Sequence, residues 1–241
     1  MSFLYLLLPA LAGGFIQAVS GFGSGIIMMM FYPYLLDVVS SASIVQCVSI
    51  FLCFSIVFHY RKEIRFRLII PPLAIYFPVY LFLLSRVAAI KSQVSFLKPF
   101  LGAFLIILSI YLLLTLKRPV VIKPGLPTAL VCASLSAVID AFFALGGPPM
   151  VLYFLGATTG KREYLGTIQC FFLITCLYGT GVRVQQNILT PELLTYVFPV
   201  CTTALLGIFI GNRLTDKIDA LMLKKLVYLF IGISGIITFA A

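Results

Sequence analysis

Charge is what this sequence has least of. Its 241 residues include 17 Lys and Arg and 7 Asp and Glu, so 10% are charged, where a soluble domain carries about 25%. With 62% hydrophobic residues and a mean hydropathy of +1.15, the shortage excludes a water-soluble globule. Histidine is nearly absent too: His59 stands alone, beside a basic stretch, and reads as an interfacial residue. The six cysteines (Cys47, Cys53, Cys132, Cys170, Cys176, Cys201) lie in apolar segments with no CxxC or Cys/His spacing. They read as small packing residues, and neither a metal nor a cofactor is expected. One histidine and one deep carboxylate do not make a nucleophile, base and orienting group, so the chain is not expected to be an enzyme. A basic stretch ahead of the first apolar run is also missing, and no removable signal peptide is expected.

What is present is apolar sequence in long runs. Uncharged stretches cover residues 1–36, 38–58, 68–85, 99–116, 141–160, 164–182, 193–212 and 226–241, and a helix needs about 20 predominantly apolar residues to span a bilayer. The expected fold is therefore all-α, a polytopic membrane protein of about eight hydrophobic segments. Connections near ten residues long leave no room for an extramembrane domain. The excess of basic residues lies in or beside those connections, so it reads as a topology signal and lipid-headgroup contact rather than a nucleic-acid surface. Tyr32, Tyr34 and Tyr60 read as residues of an interfacial aromatic belt.

The two halves repeat one another. An offset of 123 residues lays Ile44-Val45-Gln46-Cys47 on Thr167-Ile168-Gln169-Cys170, Cys53 on Cys176 and Gly23 on Gly146. It also superposes the ladder Ala10, Gly14, Ala18 on Ala133, Ala137, Ala141. Four further residues bring Arg86 onto Arg213 and Lys98 onto Lys225. The expected units are a first transmembrane repeat over 1–117 and a second over 125–241. Small residues one turn apart let helix backbones approach closely in lipid, so segments 1 and 5 are expected in the crowded centre.

Those segments are also too long. Residues 1–36 carry no charge and residues 124–160 carry one, Asp140; at 1.5 Å per residue either would overshoot a core of about 30 Å. Each is interrupted, the first by Gly21-Phe22-Gly23-Ser24-Gly25 and later Pro33, the second by Gly146-Gly147-Pro148-Pro149. Glycine weakens a helix and proline removes a donor, so both segments are expected to be a helix, an unwound linker and a shorter helix.

Loop charge distinguishes a broken crossing from a hairpin. If all eight segments cross once, the basic residues split 8 to 9, which is no bias. If segments 1 and 5 return to the side they entered, the split is 13 to 4, with Arg86, Lys91, Lys98 and Arg183 on the poorer side. Cytoplasmic loops are rich in Lys and Arg, so the second arrangement is favoured, with both termini outside. The two halves are then inverted, and inverted repeats with discontinuous helices mark secondary transporters.

Irregular backbone survives in lipid only where protein or a polar cavity surrounds it, so the two breaks are expected to meet at a binding site near the midplane. Short-helix N-termini there suit an anion. The candidate binding residues are Gln17, Ser20, Gly21, Gly23, Ser24, Gln46, Gly146, Gly147, Pro148 and Gln169. Gln46 pairs with Gln169 across the repeat and Gln17 with Asp140, so all four are candidates for one pseudo-symmetric cavity. An amide holds an oxyanion without burying a full charge, although each glutamine also fits an ordinary interhelical hydrogen bond. Asp140 is a carboxylate deep in an apolar run, which marks either a proton-coupling group or a bond holding segments 5 and 6 together.

The signatures Gly21 to Gly25 and Leu145-Gly146-Gly147-Pro148-Pro149-Met150-Val151-Leu152-Tyr153, with the closing Gly211-Asn212-Arg213-Leu214 through Gly232-Ile233-Ser234-Gly235, resemble the TauE/SafE family of sulfite and organosulfonate exporters, also called the four-toluene-sulfonate uptake permeases. The resemblance covers nearly the whole chain. It implies a permease of the bacterial inner (cytoplasmic) membrane that moves small sulfur-containing anions such as sulfite, sulfoacetate or other organosulfonates, with the substrate region at the two breaks. Asp140 departs from the small residue such a family would carry there. The expected function is alternating access, with proton coupling through Asp140. An anion channel or uniporter is the alternative, followed by a membrane scaffold without transport. The expected partners are a small anion and the lipid bilayer, with a homodimer compatible with exposed apolar helices and no nucleic acid.

Overall fold

The structure is a computed structural model that describes residues 2–20, 23–89, 97–116, 123–214 and 220–240. Among them it contains helices and no strand. The first set is α1 (Ser2–Ser20), α2 (Ser24–Phe31), α3 (Val38–Tyr60), α4 (Phe66–Ala89) and α5 (Leu97–Thr115). The second is α6 (Leu126–Phe143), α7 (Gly147–Ala157), α8 (Lys161–Gln185), α9 (Pro191–Leu214) and α10 (Ala220–Ala240). Helices α3, α4, α5, α6, α8 and α9 are long and apolar enough to cross a membrane, and shorter apolar stretches cover Tyr5–Ala18 and Lys225–Ala240. Large hydrophobics such as Ile107, Leu114 and Phe198 point outward. Water would not tolerate so many of them, whereas lipid requires them. The chain is a multi-pass membrane protein.

Both long segments break and double back. Gly13 lies against the Ser24 backbone, where an added Cβ would be 2.9 Å from the Ser24 carbonyl oxygen, and the Tyr32 hydroxyl donates to the Leu6 carbonyl at 2.9 Å. A straight helix would separate Gly13 and Ser24 by about 16 Å. In the second half the Ser136 hydroxyl donates to the Gly146 carbonyl at 2.6 Å. Helices α2 and α7 thus begin level with the middles of α1 and α6. The hairpins are lopsided: α6 has 18 residues and α7 has 11, so one arm is of spanning length and the other covers about half a span, from the middle back towards the side of entry. Proline explains why α7 starts where it does. Pro148 and Pro149 occupy its first turn, where a missing N–H loses no helix bond.

Equivalent helices of the two halves run antiparallel. In α3 and α8, Ser43 meets Arg183, Cys47 meets Thr180 and Tyr60 meets Gly166, low numbers against high. In α5 and α10, the Ser109 hydroxyl donates to the Tyr228 carbonyl at 2.6 Å while Gly102 abuts Gly235 and Phe239. Repeats related by an axis along the membrane normal would place such partners parallel, so the antiparallel pairs identify the inverted arrangement. The halves also interlock. The α1 ladder packs on α9 of the other half, with Gly14 against Ala204, Leu11 against Gly207 and Ala18 against Gly211, and α6 packs on α4. Added Cβ atoms on Gly14 and Gly207 would overlap the facing backbone, which is the close approach that small residues permit.

One reading of a single residue changes. Tyr32 is fully buried on the Leu6 carbonyl and so does not belong to an interfacial belt. Tyr34 is half exposed and bonds Thr238, and His59 is exposed with its ring edge-on to Tyr60. The six cysteines are free and buried in helices, the setting in which a thiol acts as a small hydrophobe.

Candidate functional site

Each break is fastened by a side chain from the long helix preceding it. On α1, Gln17 accepts a hydrogen bond from the Ser24 hydroxyl at the first residue of α2. On α6, Asp140 Oδ1 accepts from the Gly146 backbone N–H at 2.9 Å, just ahead of α7. Gln17 and Asp140 are repeat equivalents and so do the same work, each holding the start of a short helix against the middle of a long one. Gly23 caps α2 at φ 110°, a conformation open to glycine and strained for other residues. Ala144 makes the matching reversal at the end of α6 with φ 54°, and its N–H bonds the Asp140 carbonyl.

The breaks border one small cavity of about 80 Å³. Of the residues singled out by sequence, Gln17, Gly23, Ser24, Asp140, Gly146, Gly147, Pro148 and Gln169 line it. Gly21 lies outside the described residues. Ser20 ends α1, and its side chain lies outside what is described. Gln46 does not line the cavity, in contrast to its equivalent Gln169. Ser49, Ser136, Phe172, Thr175, Cys53 and Cys176 line it without having been singled out. They come from the inner faces of α3, α6 and α8, and a serine or threonine within an apolar run gives no local sign of which face it occupies.

The cavity is polar without being charged on its donor side. The first N–H groups of a helix have no carbonyl a turn back to bond, so Ser24, Gly25 and Ile26 open α2 with donors, and all three line the cavity. Helix α7 offers fewer, because Pro148 and Pro149 have no N–H and Gly146 is already bonded to Asp140. The two helix starts therefore differ: α2 supplies donors, and α7 supplies chiefly its dipole. Among the described residues, the lining includes no Lys or Arg. No group of three or more metal-binding side chains occurs among the described residues.

The cation is behind the wall. Arg183, read from sequence as a loop residue on the poorer side of the charge count, is 1% exposed within α8. Its Nε donates to Gln46 Oε1 at 2.7 Å and to the Tyr80 hydroxyl at 3.3 Å. Nη1 donates to the Ser43 hydroxyl at 3.1 Å, and Nη2 to the Ala141 carbonyl at 2.9 Å and the Asp140 carbonyl at 3.4 Å. One guanidinium thus joins α3, α4, α6 and α8 and satisfies carbonyls at the end of α6, where a cation also meets the negative end of the dipole. Tyr80 donates to Gln46 Oε1 at 3.0 Å, its ring stacks on Tyr76, and the Tyr76 hydroxyl donates to Asp140 Oδ2 at 2.5 Å. Sequence reasoning missed Arg183, Tyr76 and Tyr80. A signal existed in Gly179, one turn before Arg183, where a Cβ would overlap the Gln46 amide and approach the Tyr80 hydroxyl.

The family described as Sulfite exporter TauE/SafE matches residues 6–238, nearly the whole chain. No curated protein and no solved structure matches it.

Proposed function

Because the chain belongs to the TauE/SafE family of sulfite exporters, we propose that it is an inner-membrane secondary transporter for small sulfur-containing anions such as sulfite, sulfoacetate or other organosulfonates. The observation that carries this reading is the meeting of two helix breaks in one cavity, with donors at the start of α2 and amides from Gln17 and Gln169. Such groups bind an oxyanion through oriented dipoles, which hold it less tightly than a buried lysine and release it more readily.

Transport proceeds by alternating access, the repeats at 1–117 and 125–241 moving against each other around the breaks. Asp140 couples this movement to a proton. Both of its oxygens accept hydrogen bonds, from Gly146 and Tyr76, so a proton arriving on Oδ2 turns the Tyr76 hydroxyl from donor to acceptor. Protonation also neutralises the acceptor of the Gly146 N–H and so weakens the tether of the second break.

The test is flux into proteoliposomes of sulfite, sulfoacetate, taurine and sulfate, with and without a pH gradient. The expected outcome is saturable flux of sulfite and sulfonates that responds to the gradient. Non-saturable flux identifies a channel, and no flux of any anion sinks the transport reading.

A further inference from the structure

The inverted repeat should make the two ends of the cavity alike, and they are not. At the end where α3 begins and α8 finishes, Arg183 binds Ser43, Gln46, Tyr80 and two carbonyls of α6 in the protein interior. The 123-residue offset places Gly166, Gln169, Gln17 and Ala18 opposite Ser43, Gln46, Asp140 and Ala141, and Tyr60 opposite Arg183. That second end has no buried cation among its described residues. It is joined by the Arg65 N–H on the Thr167 hydroxyl at 3.1 Å and by an Arg65–Glu163 ion pair at 3.4 Å whose arginine is 66% exposed. Exposed pairs of this kind hold little. The asymmetry extends into the site: Gln169 lines the cavity, while its equivalent Gln46 is turned to Arg183 and Tyr80.

We infer that Arg183 is the latch of one gate, closing the cavity at the α8 C-terminal end and withholding Gln46 from it. The inference rests on the transport reading for its purpose, while the latch itself is a statement about access. Opening that end requires α6 to separate from α3 and α8, and the arginine fork is the group that spans all three. Its release frees Gln46 to take the place that Gln169 holds here, which is the exchange of roles that inverted repeats perform between their two states. The stacked pair Tyr80 and Tyr76 connects the latch to Asp140 and so to the break at Gly146. Arg183 is a positioning residue, since the cavity lining does not include it.

Side-specific labelling tests this. A chain retaining Cys176, which lines the cavity, with the other five cysteines replaced by serine, is reconstituted in oriented liposomes and exposed to a membrane-impermeant anionic methanethiosulfonate from either side. With Arg183 intact, labelling is expected to be slow from the α8 C-terminal side. Arg183→Gln removes several charge-assisted bonds and is expected to raise that rate about tenfold or more, leaving the rate from the other side within about twofold. Arg183→Lys, which cannot reproduce the fork, falls between. Tyr80→Phe and Ser43→Ala each remove one partner and are expected to raise the same rate about two- to threefold. An unchanged rate in monodisperse Arg183→Gln protein overturns the latch, as does an equal rise from both sides, which is what general loosening would give. If Arg183→Gln does not stay monodisperse, unchanged rates in Tyr80→Phe and Ser43→Ala overturn it instead. Absence of anion flux in the native chain would defeat the transport reading and leave the labelling result standing, so the two failures are distinguishable.

Discussion

At the scale of the residue, Gln17 and Asp140 show how one position can be kept through duplication while its chemistry diverges. Both tether a short-helix start, one through an amide on Ser24 and the other through a carboxylate on Gly146. Only the carboxylate can take up a proton, so coupling, if it resides in this pair, resides in the second half. Asp140→Asn separates the tether from the proton. Asparagine keeps an oxygen for the Gly146 N–H and offers an amide to the Tyr76 hydroxyl, so the fold should lose only about 1 kcal/mol. The expected outcome is anion flux whose rate no longer varies with pH. A pH profile unchanged from the parent would remove Asp140 from the coupling mechanism.

At the scale of the element, contact between helices is set by what is missing from their surfaces. Helices α1 and α9 touch backbone to backbone because Gly14, Gly207 and Gly211 carry no side chain at the seam. Lipid tails offer no hydrophobic drive for helix association, so this closeness is the main source of their adhesion. Gly207→Leu should force the pair apart and lower stability by about 3 kcal/mol, measured as the midpoint of thermal unfolding in detergent. Leu206→Ala, one residue away but 57% exposed, should leave the midpoint nearly unchanged. Equal midpoints for the two variants would contradict the seam. The ladder of small residues was legible in sequence because its spacing is a local property of a helix. Its partner was not, since α9 lies nearly two hundred residues further along and belongs to the other half.

For the whole molecule, the structure strengthens the charge argument. Moving Arg183 from a loop to the interior leaves Arg86, Lys91 and Lys98 on the poorer side, so thirteen basic residues stand against three. The antiparallel pairs α3 with α8 and α5 with α10 require the same inversion by independent means. Reporter fusions after Ser2 and after Ala241 are expected to place both ends outside the cytoplasm. A cytoplasmic signal from either would refute this topology.

The amino-acid sequence by itself determined that this chain lives in a bilayer, that it is doubled, and where its long segments break. Those properties follow from composition, from periodicity and from the local chemistry of Gly23 and of Pro148 and Pro149, none of which needs a distant partner. Tertiary structure decided which of two equivalent glutamines faces the cavity and whether Arg183 reaches for water or turns inward. A cation near a helix end does either, according to what stands beside it. Here Ser43, Gln46, Tyr80 and the end of α6 supply enough acceptors to hold it inside, and only folding brings them together.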